Sequence, residues 1–212
     1  MTNAACPTCG KVPLSNITIH NTALRKQTFT LSPILPTCNI CNSEVEVKGN
    51  TQGIQILLLN GTCGAGKSTT AEKLVKNHDY MAIDGDCVMQ VVQHKIGIQP
   101  PNNAPEIVAE IATQVDILSA FTRKIVITAV IEPKDIQKYI DIFQNKGVDY
   151  RHVLLKPTYE TAVQRTKTRT CHTSITPEEW VRHFYDRLVF EDAEIFDNTG
   201  LTVEESALQI EA

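Results

Sequence analysis

Membrane-spanning and export segments are the first features that this sequence lacks. Its longest compact apolar run, from Ile54 to Leu59, is strand-sized and far shorter than the roughly 18–20 residues that a membrane helix needs. The N-terminus carries no apolar segment of the signal-peptide kind. Positive charge is not in excess, since 20 Lys+Arg stand against 24 Asp+Glu and leave a formal charge of −4. The net charge of the molecule therefore does not attract nucleic acid or anionic membranes.

Signs of disorder and of a disulfide framework are missing as well. Hydrophobic residues make up 42% of the chain and charged residues 21%, which is an ordinary globular composition. The length of 212 residues suggests one or two domains. The cysteine count of seven is odd, in a chain with no visible export signal, which argues against disulfides. We therefore expect a cytoplasmic protein with reduced thiols.

Four of the cysteines form two pairs at one spacing, Cys6 with Cys9 and Cys38 with Cys41. A CxxC knuckle places two sulfurs on one side of a metal ion, and Zn²⁺ prefers four thiolate or imidazole ligands in a tetrahedron. The first knuckle, CPTCG, and the β-rich sequence between the pairs resemble a zinc ribbon, which would cover residues 1–50. The resemblance implies structural Zn²⁺ on these four cysteines, with a rubredoxin-like iron site as the alternative. A redox CxxC would open a helix after a strand, which neither pair does.

The role of this ribbon is open at the level of the sequence. A metal domain of this size cannot build a sufficient core, so the metal itself is expected to hold the fold. Such ribbons contact nucleic acid or protein, and the basic residues of this one are few: Lys11, Arg25, Lys26 and Lys48. An interaction or packing module is favoured over a dedicated nucleic-acid binder. The stretch 44–48 alternates like a strand, and 48–53 indicates a linker.

From Ile54 onwards strands and helices alternate. The apolar patterns predict strands at 54–59, 80–83, 125–131, 150–155 and 194–196, and helices at 67–77, 88–93, within 104–123, and at 133–146, 158–169, 177–190 and from 203. Alternation of this kind predicts a parallel sheet covered by helices on both faces. The expected fold is therefore α/β, with a five-stranded parallel sheet over residues 54–212 after the small β-rich ribbon.

A phosphate-binding loop follows the first of these strands. The segment GTCGAGKS fits the pattern G-x-x-x-x-G-K-[ST], with an apolar strand before it and a helix after it. Backbone N–H groups and the helix N-terminus supply positive potential to phosphates there. Lys67 is expected to reach the β- and γ-phosphates, and Ser68 to bind Mg²⁺. The predicted nucleotide-binding residues are Gly61, Thr62, Cys63, Gly64, Ala65, Gly66, Lys67, Ser68 and Thr69.

Two acidic residues, Asp84 and Asp86, follow the second predicted strand of this region. Folds of this class place their chemistry at the carboxyl ends of parallel strands. An aspartate there can accept a hydrogen bond from an acceptor hydroxyl or hold Mg²⁺ through water. It can equally cap the N-terminus of the helix that follows. We expect at least one of the two to be functional while the other caps.

The loop, the D-G-D step after the second strand and an arginine-bearing segment after the fourth resemble the small P-loop kinases. Shikimate kinase, gluconate kinase, adenylylsulfate kinase and chloramphenicol phosphotransferase are members. The resemblance covers about residues 54–212. It implies that ATP and Mg²⁺ bind the loop and that the acceptor hydroxyl lies near Asp84 and Asp86. It also implies that the turn containing Asn198 lies beside the adenine.

The arginine-bearing segment, residues 165–173, is the candidate lid. Arg165 and Arg169 are one helical turn apart and can share a face. In the kinase family such arginines stack on adenine or neutralise the transferring phosphoryl group, which makes both of them catalytic candidates together with Lys67. The alternative is a solvated basic helix end. Arg182 and Arg187, on the following helix, remain open between the two roles.

Two features qualify the resemblance. Many P-loop enzymes end the third strand with an Asp that supports Mg²⁺, whereas this sequence has Thr128 and no carboxylate before Glu132. Asp84 or Asp86 would have to take that role. No arginine lies between Arg25 and Arg123, although arginine is the usual grip on an anionic acceptor. This favours a neutral acceptor such as a polyol, a nucleoside hydroxyl or an antibiotic-like alcohol.

Two functions are consistent with these patterns. The first is an ATP-dependent phosphotransferase that moves the γ-phosphoryl group to a hydroxyl of a small neutral acceptor. The second is a nucleotide-sensing or ATPase module whose zinc ribbon docks onto protein or nucleic acid. The sequence does not name the acceptor or the oligomeric state.

Overall fold

The computed structural model describes residues 3–18, 36–168 and 176–212. Arg169 and most of the candidate lid segment, 165–173, lie outside these residues.

Four short strands lie in the described residues of the N-terminal region, 1–50, which we call the ribbon region. They are β1 (Asn3–Cys6), β2 (Gly10–Pro13), β3 (Ile17–Thr18) and β4 (Thr37–Cys38). β1 pairs with β2 and β3 with β4, both antiparallel. The strand predicted at 44–48 is replaced by two isolated bridges, from Glu44 to Thr37 and from Glu46 to Ala5. Because these two residues pair with different partners, no continuous ladder forms there.

A small apolar cluster fills the ribbon region. Its buried members are Ala4, Cys6, Val12, Ile17, Cys38, Val45 and Val47. Two of these seven are cysteines, and two residues from the rest of the chain, Ala120 and Phe121, pack against the cluster. So little apolar burial is rarely enough to hold a fold without a metal or another cross-link.

The rest of the chain forms the predicted five-stranded parallel sheet. Its strands are β5 (Gln55–Asn60), β6 (Tyr80–Asp84), β7 (Lys124–Thr128), β8 (Asp149–Leu155) and β9 (Glu194–Phe196). Their order across the sheet is β6-β7-β5-β8-β9, and every neighbouring pair is parallel. The fold class expected from the sequence is therefore confirmed.

Seven helices accompany the sheet in the described part of the chain. They are α1 (Lys67–Asn77), α2 (Gly85–Ile96), α3 (Pro105–Leu118), α4 (Pro133–Asn145), α5 (Tyr159–Thr168), α6 (Glu178–Arg187) and α7 (Val203–Glu211). Alternate residues of β5 point to opposite faces: Ile56 and Leu58 pack with α2, α3 and α4, and Leu57 and Leu59 with α1 and α7. None of the helices in the described ranges is both long and apolar enough to cross a bilayer.

Two elements end earlier than the sequence predicts. β7 stops at Thr128, because the N–H and C=O of Ile131 bond to the side chain of Asn60 and not to a neighbouring strand. α6 stops at Arg187, three residues before its predicted end at 190, and the next residue, Leu188, is buried against β8. Both changes come from long-range contacts that local periodicity does not report.

The ribbon region contacts the parallel sheet at the amino-terminal ends of its strands. The Gly49 N–H donates to the Asp116 carbonyl at 3.2 Å, near the end of α3. The Arg123 guanidinium donates to two carbonyls of the linker, those of Asn50 and Gln52, at 3.1 and 3.2 Å. Arg123 immediately precedes the first residue of β7. The phosphate loop and Asp84 lie at the opposite side, at the carboxyl-terminal ends of β5 and β6.

Candidate functional site

A buried asparagine holds the start of the phosphate loop. Asn60, the last residue of β5, is fully buried. Its Nδ2 donates to the Ile131 carbonyl at 2.9 Å, and its Oδ1 accepts from the N–H groups of Gly61 and Ile131 at 2.8 and 3.0 Å. This clasp ties the loop to the chain that leaves β7. Sequence reasoning missed it, because an Asn at a strand end carries no motif of its own.

The loop backbone favours glycine at three positions, the first of which is Gly61 with a φ angle of 148°. Gly64 and Gly66 have φ angles of 80° and 98°, in the left-handed region that other residues avoid. A Cβ on Gly64 would also fall 2.1 Å from the Ala162 carbonyl oxygen of α5. The loop can therefore keep this shape and its packing on α5 only with glycine there.

Lys67 lies across the loop that precedes it. Its Nζ donates to the carbonyls of Gly61 and Thr62 at 2.8 and 3.1 Å. Ser68 is exposed in the first turn of α1, and the residue before this helix, Gly66, supplies no side-chain cap. Amide donors at such a helix end form an anion site together with the loop N–H groups.

Arg165 and Asn198, both predicted site residues, lie together beside the loop. Asn198 is buried, and its Nδ2 donates to the Ala65 carbonyl at 3.0 Å. The Arg165 Nη2 donates to the Asn198 carbonyl at 2.9 Å. Partial burial lowers the pKa of Arg165, and hydrogen bonds from Thr199 lower the pKa of the neighbouring Asp197. The structure thus brings the base of the candidate lid, the turn after β9 and the loop to one place.

The two aspartates of the D-G-D step differ in their surroundings. Asp84 is 4% exposed, and its Oδ1 accepts from the N–H groups of Asp86 and Cys87 at 3.0 and 3.2 Å. It therefore caps α2 from the end of β6, where it lies in register with Thr128 of β7. Asp86 is exposed in the first turn of α2. Asp84 is thus the buried capping residue, and Asp86 is the exposed carboxylate.

The first carboxylate after β7, Glu132, is surrounded by cationic groups. Its side chain is only 13% exposed, and Lys134 Nζ lies 2.9 Å from its Oε2. Arg187 Nη2 lies 3.5 Å from the same oxygen, and His183 Nε2 lies 3.8 Å from Oε1. The hydrogen bond from Lys134 is the main cause that lowers the pKa of Glu132. Glu132 therefore provides a carboxylate near the carboxyl-terminal end of β7, in contact with α6.

α6 contacts both the phosphate loop and α5. The Thr62 hydroxyl, 2% exposed, donates to the Val181 carbonyl at 3.0 Å. The guanidinium of Arg182 lies 4.1 Å from the ring centre of Tyr159, on the α5 side of the helix. Of the two arginines left open by the sequence, Arg182 thus stacks on α5 and Arg187 faces Glu132.

The four cysteines of the ribbon region form one cluster. The sulfurs of Cys6, Cys9, Cys38 and Cys41 all lie within 4.8 Å of one another, and those of Cys6 and Cys41 are 3.4 Å apart. A tetrahedron with Zn–S bonds of about 2.3 Å has sulfur–sulfur edges of about 3.8 Å. The pKa values of two of the thiols are shifted in opposite directions. Hydrogen bonding with Cys41 raises the pKa of Cys9 to about 12, and hydrogen bonding to Ser43 lowers that of Cys41 to about 6. The donor set and its spacing fit a zinc site.

Comparisons with known proteins agree with this geometry. A family model described as "AAA domain" matches residues 56–189, which is more than half of the chain. No curated protein matches it. The fold is similar to the tunicamycin resistance protein of Deinococcus radiodurans, with a TM-score of 0.59 and 17% identity over 74% of this chain and 93% of that one.

Two kinase structures are also similar. A gluconokinase from Sinorhizobium meliloti 1021 has a TM-score of 0.55 and 16% identity, over 73% of this chain and 88% of its own. The Mycobacterium tuberculosis APS kinase, in complex with AMPPNP and APS, has a TM-score of 0.50 and 15% identity, over 77% and 95%. At these identities the likeness shows the fold. The chain therefore belongs to the AAA domain family, with the fold of the P-loop kinases and an N-terminal four-cysteine cluster that fits a zinc site.

Proposed function

We propose that the protein is an ATP-dependent phosphotransferase that moves the γ-phosphoryl group to a hydroxyl of a small neutral acceptor, with Mg²⁺. The observation that carries the proposal is the placement of a glycine loop, Lys67 and two aspartates at one edge of a kinase-type sheet. The N–H groups of residues 61–69 bind the phosphates. Lys67 exchanges the carbonyls of Gly61 and Thr62 for the β- and γ-phosphates.

In the transfer, the acceptor oxygen bonds to the γ-phosphorus while the bond to the β–γ bridging oxygen breaks. The hydroxyl proton passes to the carboxylate of Asp84 or Asp86. Lys67, Arg165 and Arg169 neutralise the moving phosphoryl group, and the turn containing Asn198 borders the adenine. Ser68 would hold Mg²⁺, which would supply charge neutralisation at the phosphates. Catalysis of this kind depends mainly on positioning and charge.

The test is ATP consumption by the purified protein with Mg²⁺ and a panel of polyols, sugars, nucleosides and shikimate-like acids. We expect ADP release to be stimulated by one neutral class, with one phosphoryl group gained by the acceptor in mass spectrometry. ADP release that is the same with and without every acceptor would contradict the proposal.

A pair of variants separates the two aspartates. Asp84→Asn keeps an oxygen that can cap α2, so a loss of kcat reports the missing negative charge and not the missing cap. Asp86→Asn removes the exposed carboxylate in the same turn. We expect at least a hundredfold loss of kcat for whichever residue accepts the proton, with α2 helicity unchanged in both variants.

We further propose that the four cysteines hold structural Zn²⁺ and that the protein is cytoplasmic, where thiols stay reduced. The ribbon region contacts the amino edge of the sheet, away from the phosphate loop. This placement favours a second candidate function, in which the kinase-type fold senses nucleotide and the ribbon docks onto protein or nucleic acid. ATP binding without acceptor-stimulated turnover, together with a salt-dependent shift on RNA or DNA, would support it.

A further inference from the structure

One face of α6 carries an unusual combination of side chains. Trp180, His183 and Arg187 are spaced i, i+3 and i+7 and therefore share a face. His183 and Arg187 approach Glu132, so this face is turned towards the chain that leaves β7. Trp180 is the only tryptophan of the protein, and 54% of it is exposed.

This face borders the phosphate loop. Glu132 follows Ile131, which is bonded to Asn60, the residue immediately before Gly61. α6 itself is bonded to the loop through the Thr62 hydroxyl and the Val181 carbonyl. The face therefore lies at the carboxyl-terminal ends of the strands, where the proposed transfer takes place.

The adenine side of the loop is a different place. Asn198, which borders the adenine in our proposal, lies in the turn after β9, where its carbonyl accepts from Arg165 of α5. The side of α6 that faces α5 carries Arg182, stacked on Tyr159. Trp180, two residues before Arg182, lies on the opposite side of α6, away from the adenine of our proposal.

The chemistry of the face suits a flat, polar ring. An indole has an apolar π-face on which a base or another planar ring stacks, and stacking of this kind does not depend on one particular base. Further along the same face, the half-exposed His183 and Arg187 can donate hydrogen bonds, and the Glu132 carboxylate that they approach can accept them from ring N–H, amino or hydroxyl groups. An open-chain polyol has no flat face to use the indole.

We propose that Trp180, His183 and Arg187 of α6, together with Glu132, form the acceptor-binding wall, and that the acceptor is a nucleoside-type compound, a hydroxylated sugar carrying a planar base. This inference rests on the proposed function. It narrows the neutral acceptor to one class and assigns Trp180 as the residue that selects it.

The single tryptophan makes binding measurable without turnover. With Mg²⁺ and a non-hydrolysable ATP analogue present, we titrate nucleosides, open-chain polyols and cyclic sugars against the fluorescence of Trp180. We expect saturable quenching by nucleosides only. The ATP analogue by itself should change the signal little, because its base lies on the other side of α6.

Kinetics of three variants provide the second readout. Trp180→Ala should raise the KM for the nucleoside roughly tenfold and leave kcat within about twofold, whereas Trp180→Phe, which keeps a flat ring, should recover most of the loss. Glu132→Gln should raise KM selectively for bases that donate a hydrogen bond. Leu208→Ala is the matched control, since Leu208 is an apolar residue of α7 with 61% exposure.

The outcomes separate this inference from the function on which it rests. A polyol phosphorylated equally well by the protein and by Trp180→Ala would overturn the inference and leave the phosphotransferase standing. Nucleoside quenching without transfer to any acceptor would refute the phosphotransferase and keep the binding wall. Neither quenching nor transfer with any acceptor would overturn both.

Discussion

The ribbon region and the sheet region of this protein are held together by different forces. The sheet buries alternate residues of β5 on both faces, against α2, α3 and α4 on one side and α1 and α7 on the other. Such a core can stabilise a fold through apolar burial alone. The ribbon region has one small cluster, and two of its buried residues are the cysteines Cys6 and Cys38. Its stability should therefore depend on a metal ion, whereas that of the sheet should not.

The ribbon region and the phosphate loop also lie at opposite ends of the parallel strands. The ribbon contacts residues that precede the strands, and the phosphate loop follows the end of β5, a strand of six residues that spans about 20 Å. No described residue of the ribbon region belongs to the candidate site. Damage to one region should therefore leave the chemistry of the other largely intact, and the following predictions test this separation.

The largest expected effect comes from removing a metal ligand. In Cys38→Ser, a buried ligand is lost, and with it most of the zinc binding free energy, which is about 10–16 kcal/mol in small zinc domains. We expect zinc content to fall from one ion per chain to nearly none, by atomic absorption, and the ribbon region to lose its amide protection. ATP binding should stay within about threefold.

Cys87→Ser is the control, since Cys87 lies outside the four-cysteine cluster and should leave the zinc content unchanged. A Cys38→Ser protein that still holds one zinc ion would show that the cluster is not the site.

The reverse experiment removes the loop ammonium. Lys67→Ala should reduce ATP turnover by at least about 100-fold, because charge on the transferring group then goes uncompensated. The zinc content should not change. Lys73→Ala, on the same helix but paired with Glu204, is the matched variant and should retain turnover. Normal turnover by Lys67→Ala in a coupled ADP assay would rule out the proposed mechanism.

The contact between the regions can be broken at Gly49. A Cβ on Gly49 would lie 1.9 Å from Ser119 Oγ and 2.4 Å from the Asp116 carbonyl oxygen. Gly49→Ala should therefore cost about 2 kcal/mol of unfolding free energy, measured by urea denaturation, because the end of α3 must shift. Lys48→Ala, at an exposed neighbour, should cost little. Equal stability of both variants would mean that the regions are not packed as described.

Acid should weaken the sheet region through His152. Burial lowers the pKa of this residue from its ordinary 6.5 to about 4. Between these values the unfolded chain binds more protons than the folded one, so the free energy of unfolding falls as the pH drops from about 6.5 to 4. The loss should be on the order of 2 kcal/mol, and His152→Gln should flatten it. An identical pH profile in the variant would assign the acid sensitivity elsewhere.

The smallest effect is expected at the start of α7, on the sheet side of the comparison. Thr202 accepts from the Glu205 N–H and forms a reciprocal capping box with that residue. Thr202→Ala should cost about 1 kcal/mol, seen as a lower melting temperature with unchanged zinc content. Thr113→Ala, at an exposed position inside α3, should be neutral or slightly stabilising.

Much of the fold followed from the sequence alone. Apolar periodicity located the strands and most of the helices, and the spacing of the cysteines indicated a cluster that the structure assembles. Elements were misjudged where a distant contact overrides the local pattern: β7 ends early because of Asn60, 71 residues away from Ile131, and 44–48 pairs with two different segments.

The candidate site divides in the same way. The phosphate loop, Lys67 and the D-G-D step are visible in the sequence, because each is a local motif in which neighbouring residues supply one chemistry. The sequence does not reveal that His183 and Arg187 approach Glu132, or that the ribbon region contacts the strand ends away from the loop. Those relations join residues distant in the chain, and only the packing of the helices on the sheet decides them.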